Sequence, residues 1–229
     1  MDLGLSVSEA VCQRGSVRAF SDEAVDKELV EEILKLAGYS PSGSNLQPWK
    51  VYALTGKVKD ALVQAVLAKA AQQPAGDTPD IAMYPPGLGE PWRQRRADCG
   101  AVLYERLGIA RDDKAARYQQ AAKNLTFFGA PVGLIVTMDR SLSDSQMIDI
   151  GIFIQTVMLL AQERGLATCP QASWQMWSET IRSHLHIDDK EMVMVGIALG
   201  LADKEEPAAH VPQPRLPVDQ YTTLLGFPD

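Results

Sequence analysis

One segment constrains this chain more than any other. From Gln146 to Arg164 the apolar residues Met147, Ile148, Ile150, Ile152, Phe153, Ile154, Val157, Met158, Leu159 and Leu160 fall on every side of a helix that Gly165 ends. Such a helix must be covered nearly all round, so it lies either at the centre of a fold or in an interface. It is too interrupted by polar residues to match the roughly 18 consecutive apolar residues of a membrane span. A chain of 229 residues has limited means to enclose it alone. The expectation is a single domain over 1–229 in an obligate homodimer, with an interface of more than about 2,000 Å².

The rest of the chain alternates helical and strand periodicities. Asp26 can cap a helix over Leu29–Ala37 that ends at Gly38; Trp49–Leu54 reads as a strand and Thr55 as the cap of a helix reaching about Gln72. Further helices are expected at Trp92–Leu107, Asp113–Phe128 and Trp177–His186, with strands at Val132–Met138, Leu166–Cys169 and Met192–Leu199. The class is α+β in about three layers, with too few regular βα units for a barrel. Between Pro74 and Pro91 lie five prolines and three glycines, which mark a long loop and, with the residues to about 128, a lid or substrate-binding segment. Residues from Pro207 to the end read as an extended arm.

Composition excludes whole classes of function. Apolar residues at 46% and charged residues at 22% belong to a folded globular chain, and 29 acids against 22 bases argue against a nucleic-acid surface, so any anion must be held locally. The first residues, MDLGLSVSEAV, carry no basic or apolar leader, which makes the cytoplasm the expected compartment. Cys12, Cys99 and Cys169 are widely spaced and read as reduced, buried thiols. No GxxxxGK(S/T), GxGxxG or GxSxG motif is present. His184 and His186 fall on different helix faces, and the acid pairs Asp22–Glu23, Asp112–Asp113 and Asp188–Asp189 sit at caps and turns. Without an evident nucleophile, base or metal set, a bound cofactor is the expected carrier of any chemistry.

Two segments fit that expectation. In Arg14-Gly15-Ser16-Val17-Arg18 an extended backbone points two guanidinium groups and a hydroxyl the same way, a set suited to phosphate, although a solvated basic turn uses the same residues. Ser40-Pro41-Ser42-Gly43-Ser44-Asn45-Leu46-Gln47-Pro48-Trp49 is a rigid polar loop able to hydrogen-bond a planar heterocycle or to serve only as a connection.

Taken in this order, RGSVRAF and SPSGSNLQPWKVYAL resemble the FMN-dependent nitroreductase family, whose R-x-S-x-(K/R) and S-P-S-x-x-N-x-Q-P-W segments flank the flavin. APVGLIVTMDR, DIGIFIQTVMLLAQERGLATCPQASW, VMVGIALGLAD and QPRLP extend the likeness over nearly the whole chain, and the middle segment from Tyr84 to Gly133 is similar to the nitrobenzoate and dinitroaniline reductase branch. The resemblance implies a mixed central sheet flanked by helices in an intertwined homodimer with FMN at the interface. It implies that Arg14, Ser16, Arg18 and Arg215 approach the phosphate, ribityl chain and pyrimidine edge. Pro41, Ser42, Gly43 and Asn45 match a loop given by the other subunit, and Pro170, Gln171, Ala172 and Ser173 match the loop whose backbone N–H lies near flavin N5.

Three departures from the enteric members stand out: Gln213 replaces a second phosphate-binding lysine, Ala172 replaces an acid, and the middle of the chain is longer. There Gln120 and Asn124, i and i+4 on one helix, are the expected polar contacts to the pyrimidine ring. Tyr84, Trp92, Phe127 and Phe128 are expected to wall an aromatic substrate, while Trp49, Trp174 and Trp177 pack in the core or interface. Arg93, Arg95 and Arg96 either attract an anionic substrate or NADPH, or form a solvated face. The implied activity is a ping-pong reduction of nitroaromatics or quinones with NAD(P)H, with no catalytic side chain and no metal. Dehalogenation, ene-reduction, heterocycle oxidation and flavin storage are the alternatives.

Overall fold

A computed structural model describes residues 4–228. Met1–Leu3, the first residues of the N-terminal stretch, and Asp229, the end of the expected arm, lie outside the described residues. Four strands form the centre: β1 (Lys50–Thr55), β2 (Val132–Asp139), β3 (Ala167–Gln171) and β4 (Glu191–Gly200), in the order β1-β2-β4-β3. Their pairings are all antiparallel, with Lys50 opposite Thr137, Val132 opposite Leu199 and Gln171 opposite Gly196. The parallel component expected of a mixed sheet is confined, among the described residues, to a bridge between Ser16 and Thr168. β2 and β4 occupy the middle and are apolar and buried on both faces, as residues sandwiched between two helical layers must be. A bulge near Val136, where β4 carries one extra residue, re-aims the side chains beyond it.

On one face Val30, Ile33 and Ala37 of α2 (Lys27–Ala37) and Phe153 and Val157 of α6 (Gln146–Glu163) pack with Leu134, Val136, Ile197 and Leu199. On the other, Leu62, Val63 and Val66 of α3 (Gly56–Gln72) and Ile181 of α7 (Ser178–Leu185) pack with Ile135, Val193 and Ala198. The three-layer expectation holds. Two glycines shape the second face. Wholly buried Phe127 and Trp174 stack at 4.1 Å, and a Cβ on Gly133 would come within 2.6 Å of the Phe127 ring and one on Gly196 within 2.1 Å of the Trp174 indole. Both rings therefore lie on bare backbone.

Elsewhere the chain departs from its sequence reading. A helix α1 (Val7–Gln13) precedes the arginine motif, opened by a capping box in which Ser6 and Glu9 exchange bonds. The helix expected over Asp113–Phe128 ends as α5 (Lys114–Ala122), and a 3-10 segment Lys123–Gly129 follows in which Phe127 and Phe128 adopt φ of 50° and 54°. No glycine or proline lies between Ala122 and Phe128 to announce that break, and within it Phe127 stacks on Trp174. Asp26 stands at the N-cap of α2 without a side-chain bond. The strands and remaining helices fall within two residues of expectation, α4 (Trp92–Arg106) among them.

Candidate active site

The first motif lies along the edge of the sheet. Val17 N donates to Thr168 O at 3.0 Å beside the Ser16–Thr168 bridge, and Arg18 N donates to Ala208 O at 3.1 Å, which fastens the motif between β3 and the start of the C-terminal arm. Arg18 Nη1 turns back to Ser16 O at 3.1 Å. Arg18 also faces Cys169, whose thiol burial pushes up to about 11 despite that positive neighbour. Cys169 is thus an inert buried thiol, as expected, whereas Cys12 and Cys99 are exposed and correct the expectation that all three are buried.

Beyond β3 the chain enters the 3-10 segment Ala172–Trp177. Gln171 Nε2 donates to Asn124 O at 2.8 Å, Ser173 Oγ reaches Asn124 Oδ1 at 3.4 Å, and Trp174 Nε1 donates to Gln171 Oε1 at 3.4 Å. Sequence-picked residues that are far apart in the chain, namely Asn124 and the Pro170–Ser173 turn, therefore share one network next to the strand that holds Ser16. Gln120 is buried one turn before Asn124, and among the described residues its Nε2 has no hydrogen-bond partner; neither has the buried Nε of Arg14. A buried donor without an acceptor is costly, and a ligand that brings an anion to Arg14 and an amide acceptor to Gln120 would satisfy each. The residues fit a phosphate-bearing heterocycle on that ground. The group contains no histidine and no carboxylate. Arg215 is exposed and, among the described residues, its guanidinium donates to the nearby carbonyls Gln213 O and Pro214 O and not to the others of this group.

The second loop takes a different seat. Gly43 N donates to both oxygens of Asp149 on α6 at 3.2 and 3.3 Å, and Ser40 Oγ donates to Thr156 Oγ1 at 2.9 Å. Ser44, Asn45 and Gln47 all have positive φ, between 48° and 56°. No hydrogen bond among the described residues joins this loop to the arginine motif or to Asn124.

Of the four aromatic wall residues, Phe127 and Phe128 are only 0% and 6% exposed and belong to the core, which corrects their assignment to a substrate wall. Tyr84 and Trp92 are exposed, and the guanidinium of Arg96 lies 4.2 Å over the Tyr84 ring. Trp174 and Trp177 are core residues as expected, and Trp49 stacks on Phe153 at 4.9 Å. The Pro74–Pro91 loop is not free along its length. Asp77 accepts from Thr180 N at 2.8 Å, and Asp80 accepts from Val193 N at 2.9 Å and from Arg182 Nη1 at 2.5 Å while also pairing with Arg140. Burial alone would raise the Asp80 carboxyl; the Val193 N–H and the two guanidinium groups outweigh it and hold it below the usual range. Neither aspartate was singled out in the sequence, and a lone acid in a proline-rich loop carries no signal of its distant partners. A separate groove of about 580 Å³ between α3 and α7, lined by Lys69, Asp77, Thr180 and His184, contains none of the expected site residues.

Comparison with known proteins identifies the family. The sequence model of the nitroreductase family matches residues 11–201. The chain is 38% identical over 217 residues to a 4-nitrobenzoate reductase of Pseudomonas putida, covering 95% of this chain and 94% of that one. It superposes with a TM-score of 0.95 at 43% identity on the FMN and NADPH-dependent nitroreductase NfnB of sphigopyxis sp. strain HMH, over 97% of this chain and 100% of the other. On the FMN-dependent nitroreductase NfnB of Mycobacterium smegmatis in complex with NADPH it gives 0.88 at 32% identity, over 96% and 99%. With a match of this extent and the arginine motif, the β3 turn and Asn124 gathered at one sheet edge, the chain belongs to the nitroreductase family.

Proposed function

We propose that the protein is an FMN-dependent oxidoreductase that uses NAD(P)H to reduce nitroaromatic compounds, and quinones as a further class of acceptor. The observation that carries this reading is that two buried donors in the sequence-predicted site, Arg14 Nε and Gln120 Nε2, have no partner among the described residues, in a chain whose full-length relatives include FMN and NADPH-dependent nitroreductases. When bound, FMN would supply the redox chemistry between the nicotinamide and the acceptor. The chain's own work is to hold and position. Arg14 and Arg18, with Arg215 drawn in from the arm, bind the phosphate by charge-assisted bonds. Ser16, Gln120, Asn124 and Gln171 present neutral donors and acceptors to the sugar and pyrimidine, and the backbone N–H groups of Ala172 and Ser173 fix the edge of the central ring. Tyr84 and Trp92, exposed on the outer segment, would meet donor and acceptor as they take turns. Since this group holds no side-chain acid, protons come from water.

Ile148 is 68% exposed and Ile152 is 37% exposed on α6, while Ile150, Phe153 and Val157 on its other side are buried. Val218, Tyr221, Leu224, Leu225 and Phe227 of the arm are exposed as well. Those apolar surfaces support a homodimer, in which a second copy covers α6 and contributes Pro41, Ser42, Gly43 and Asn45 to the site. Among the described residues no helix is long and apolar enough to cross a membrane. The test is anaerobic. NADPH should bleach the bound flavin rapidly and a nitroaromatic should restore its colour, with parallel lines in a double-reciprocal plot and light scattering at twice the chain mass. A flavin that NADPH does not bleach would overturn the reductase in favour of storage.

A further inference from the structure

Asp149 is a carboxylate placed in the otherwise apolar run Met147–Phe153, and it is 7% exposed. A buried charge in such a place needs strong partners. Its position in the first turn of α6 supplies a favourable helix dipole, but the hydrogen bonds it accepts go outside the helix, to the N–H of Gly43. The loop receiving this support is strained. Ser44, Asn45 and Gln47 are not glycine, yet each occupies left-handed backbone, a state that persists only where surrounding contacts over-determine it. Within the loop, Ser42 Oγ accepts from Gln47 N at 2.9 Å, Gln47 Nε2 donates to Asn45 O at 3.3 Å, and Asn45 N and Leu46 N donate to Ser42 O and Gly43 O; from α6, Asp149 holds Gly43 and Thr156 holds Ser40. Asn45, Leu46 and Gln47 remain exposed, so the loop's outer surface is free for a second molecule. Thr156 in turn donates to Ile152 O, which places the whole anchor beside the uncovered apolar side of α6.

We infer that Asp149 is a positioning residue for flavin binding in trans: through Gly43 it holds the Ser40–Gln47 loop in the shape with which one chain completes the cofactor site of the other. This rests on the functional reading above, in which that loop serves a second copy. Arg14 acts on the flavin of its own chain, and Asp149 on that of the partner subunit.

The two roles separate in mixed dimers. Asp149→Ala should raise the Kd for FMN on the order of tenfold, with helix content and dimer mass unchanged, because a charge-assisted bond is lost. Asp149→Asn keeps an acceptor and should recover most of that loss. Differently tagged Arg14→Ala and Asp149→Ala chains, purified as heterodimers, should bind about one FMN per dimer at a concentration that leaves both parent homodimers nearly empty, since one site then has both its arginine and its loop intact. Heterodimers as empty as their parents, or an Asp149→Ala homodimer that binds FMN as tightly as wild type, would overturn the inference. If Asp149→Ala does not fold, Asp149→Ser, whose side chain is too short to reach the Gly43 amide, carries the test through the rate of FMN dissociation from the dimer. A severalfold rise supports the inference and an unchanged rate overturns it. A wild-type chain with no affinity for FMN would instead overturn the functional reading itself.

Discussion

Two helices of similar length, α4 and α6, are used in opposite ways. α6 sends Ile150, Phe153, Val157, Met158 and Ala161 into the core and is apolar on the side left over. α4, with WRQRRADCGAVLYER, buries no residue, and its charged side chains settle with near neighbours: Arg93 with Glu90 at 2.7 Å, and Arg96 with the Tyr84 ring. The first helix holds the layers together; the second rides on them. A helix that contributes little to the core is free to carry residues chosen for what they meet in solution, which is where a substrate wall belongs.

That division can be tested at four places. The largest effect is expected at Phe153, 2% exposed and stacked on Trp49, where Phe153→Ala should destabilise the fold by about 3–5 kcal/mol in a denaturant titration. Asp80 marks the boundary between the two regimes, because it ties the outer segment to Arg182 and Val193; Asp80→Ala should cost about 3 kcal/mol by leaving the Arg182 guanidinium buried without its partner. The sign with pH is fixed by its lowered pKa. The folded carboxyl gives up its proton more readily than the unfolded one, so its contribution is fully present above about pH 4 and is lost as pH falls through the folded value, and acid unfolding midpoints should show this loss in wild type and not in Asp80→Asn. Arg14→Ala should weaken FMN by about 1.5–3 kcal/mol in a fluorescence titration without altering the unfolding midpoint of the flavin-free protein. Little effect on stability is expected at Trp92, 59% exposed in α4, where Trp92→Ala should stay within about 0.5 kcal/mol while shifting the ratio of kcat/KM between nitroaromatics by about 1–3 kcal/mol equivalent. A Trp92 variant that unfolds the protein would erase the distinction between the helices.

What the sequence disclosed follows the same division. Strands β2 and β4 were legible because residues buried on both faces leave an unbroken apolar run, and α6 because its apolar residues repeat on every side. The arginine motif was legible because charge and hydroxyl alternate at extended spacing. Asp149 was not, since a single acid in an apolar helix looks the same whether it meets solvent or a loop about a hundred residues away in the chain. α1 carried a readable signature in Ser6-Val7-Ser8-Glu9, short enough to pass as a turn. Phe127 misled for a different reason: an aromatic pair before a glycine is as fit for a pocket as for a core, and the bare backbone at Gly133, which decides between them, lies on another element.

The Phe127–Trp174 stack on Gly133 and Gly196 also limits how this chain can vary. A methyl added at either glycine collides with a ring, and a ring trimmed alone leaves a hole beside the Gln171–Asn124 network. Each single step is a loss, while a ring made smaller together with a glycine made larger keeps the volume filled. Random variation at these four positions should therefore yield survivors as matched doubles, and recombination between such a double and the parent should break both, so the aromatic floor is inherited as one unit.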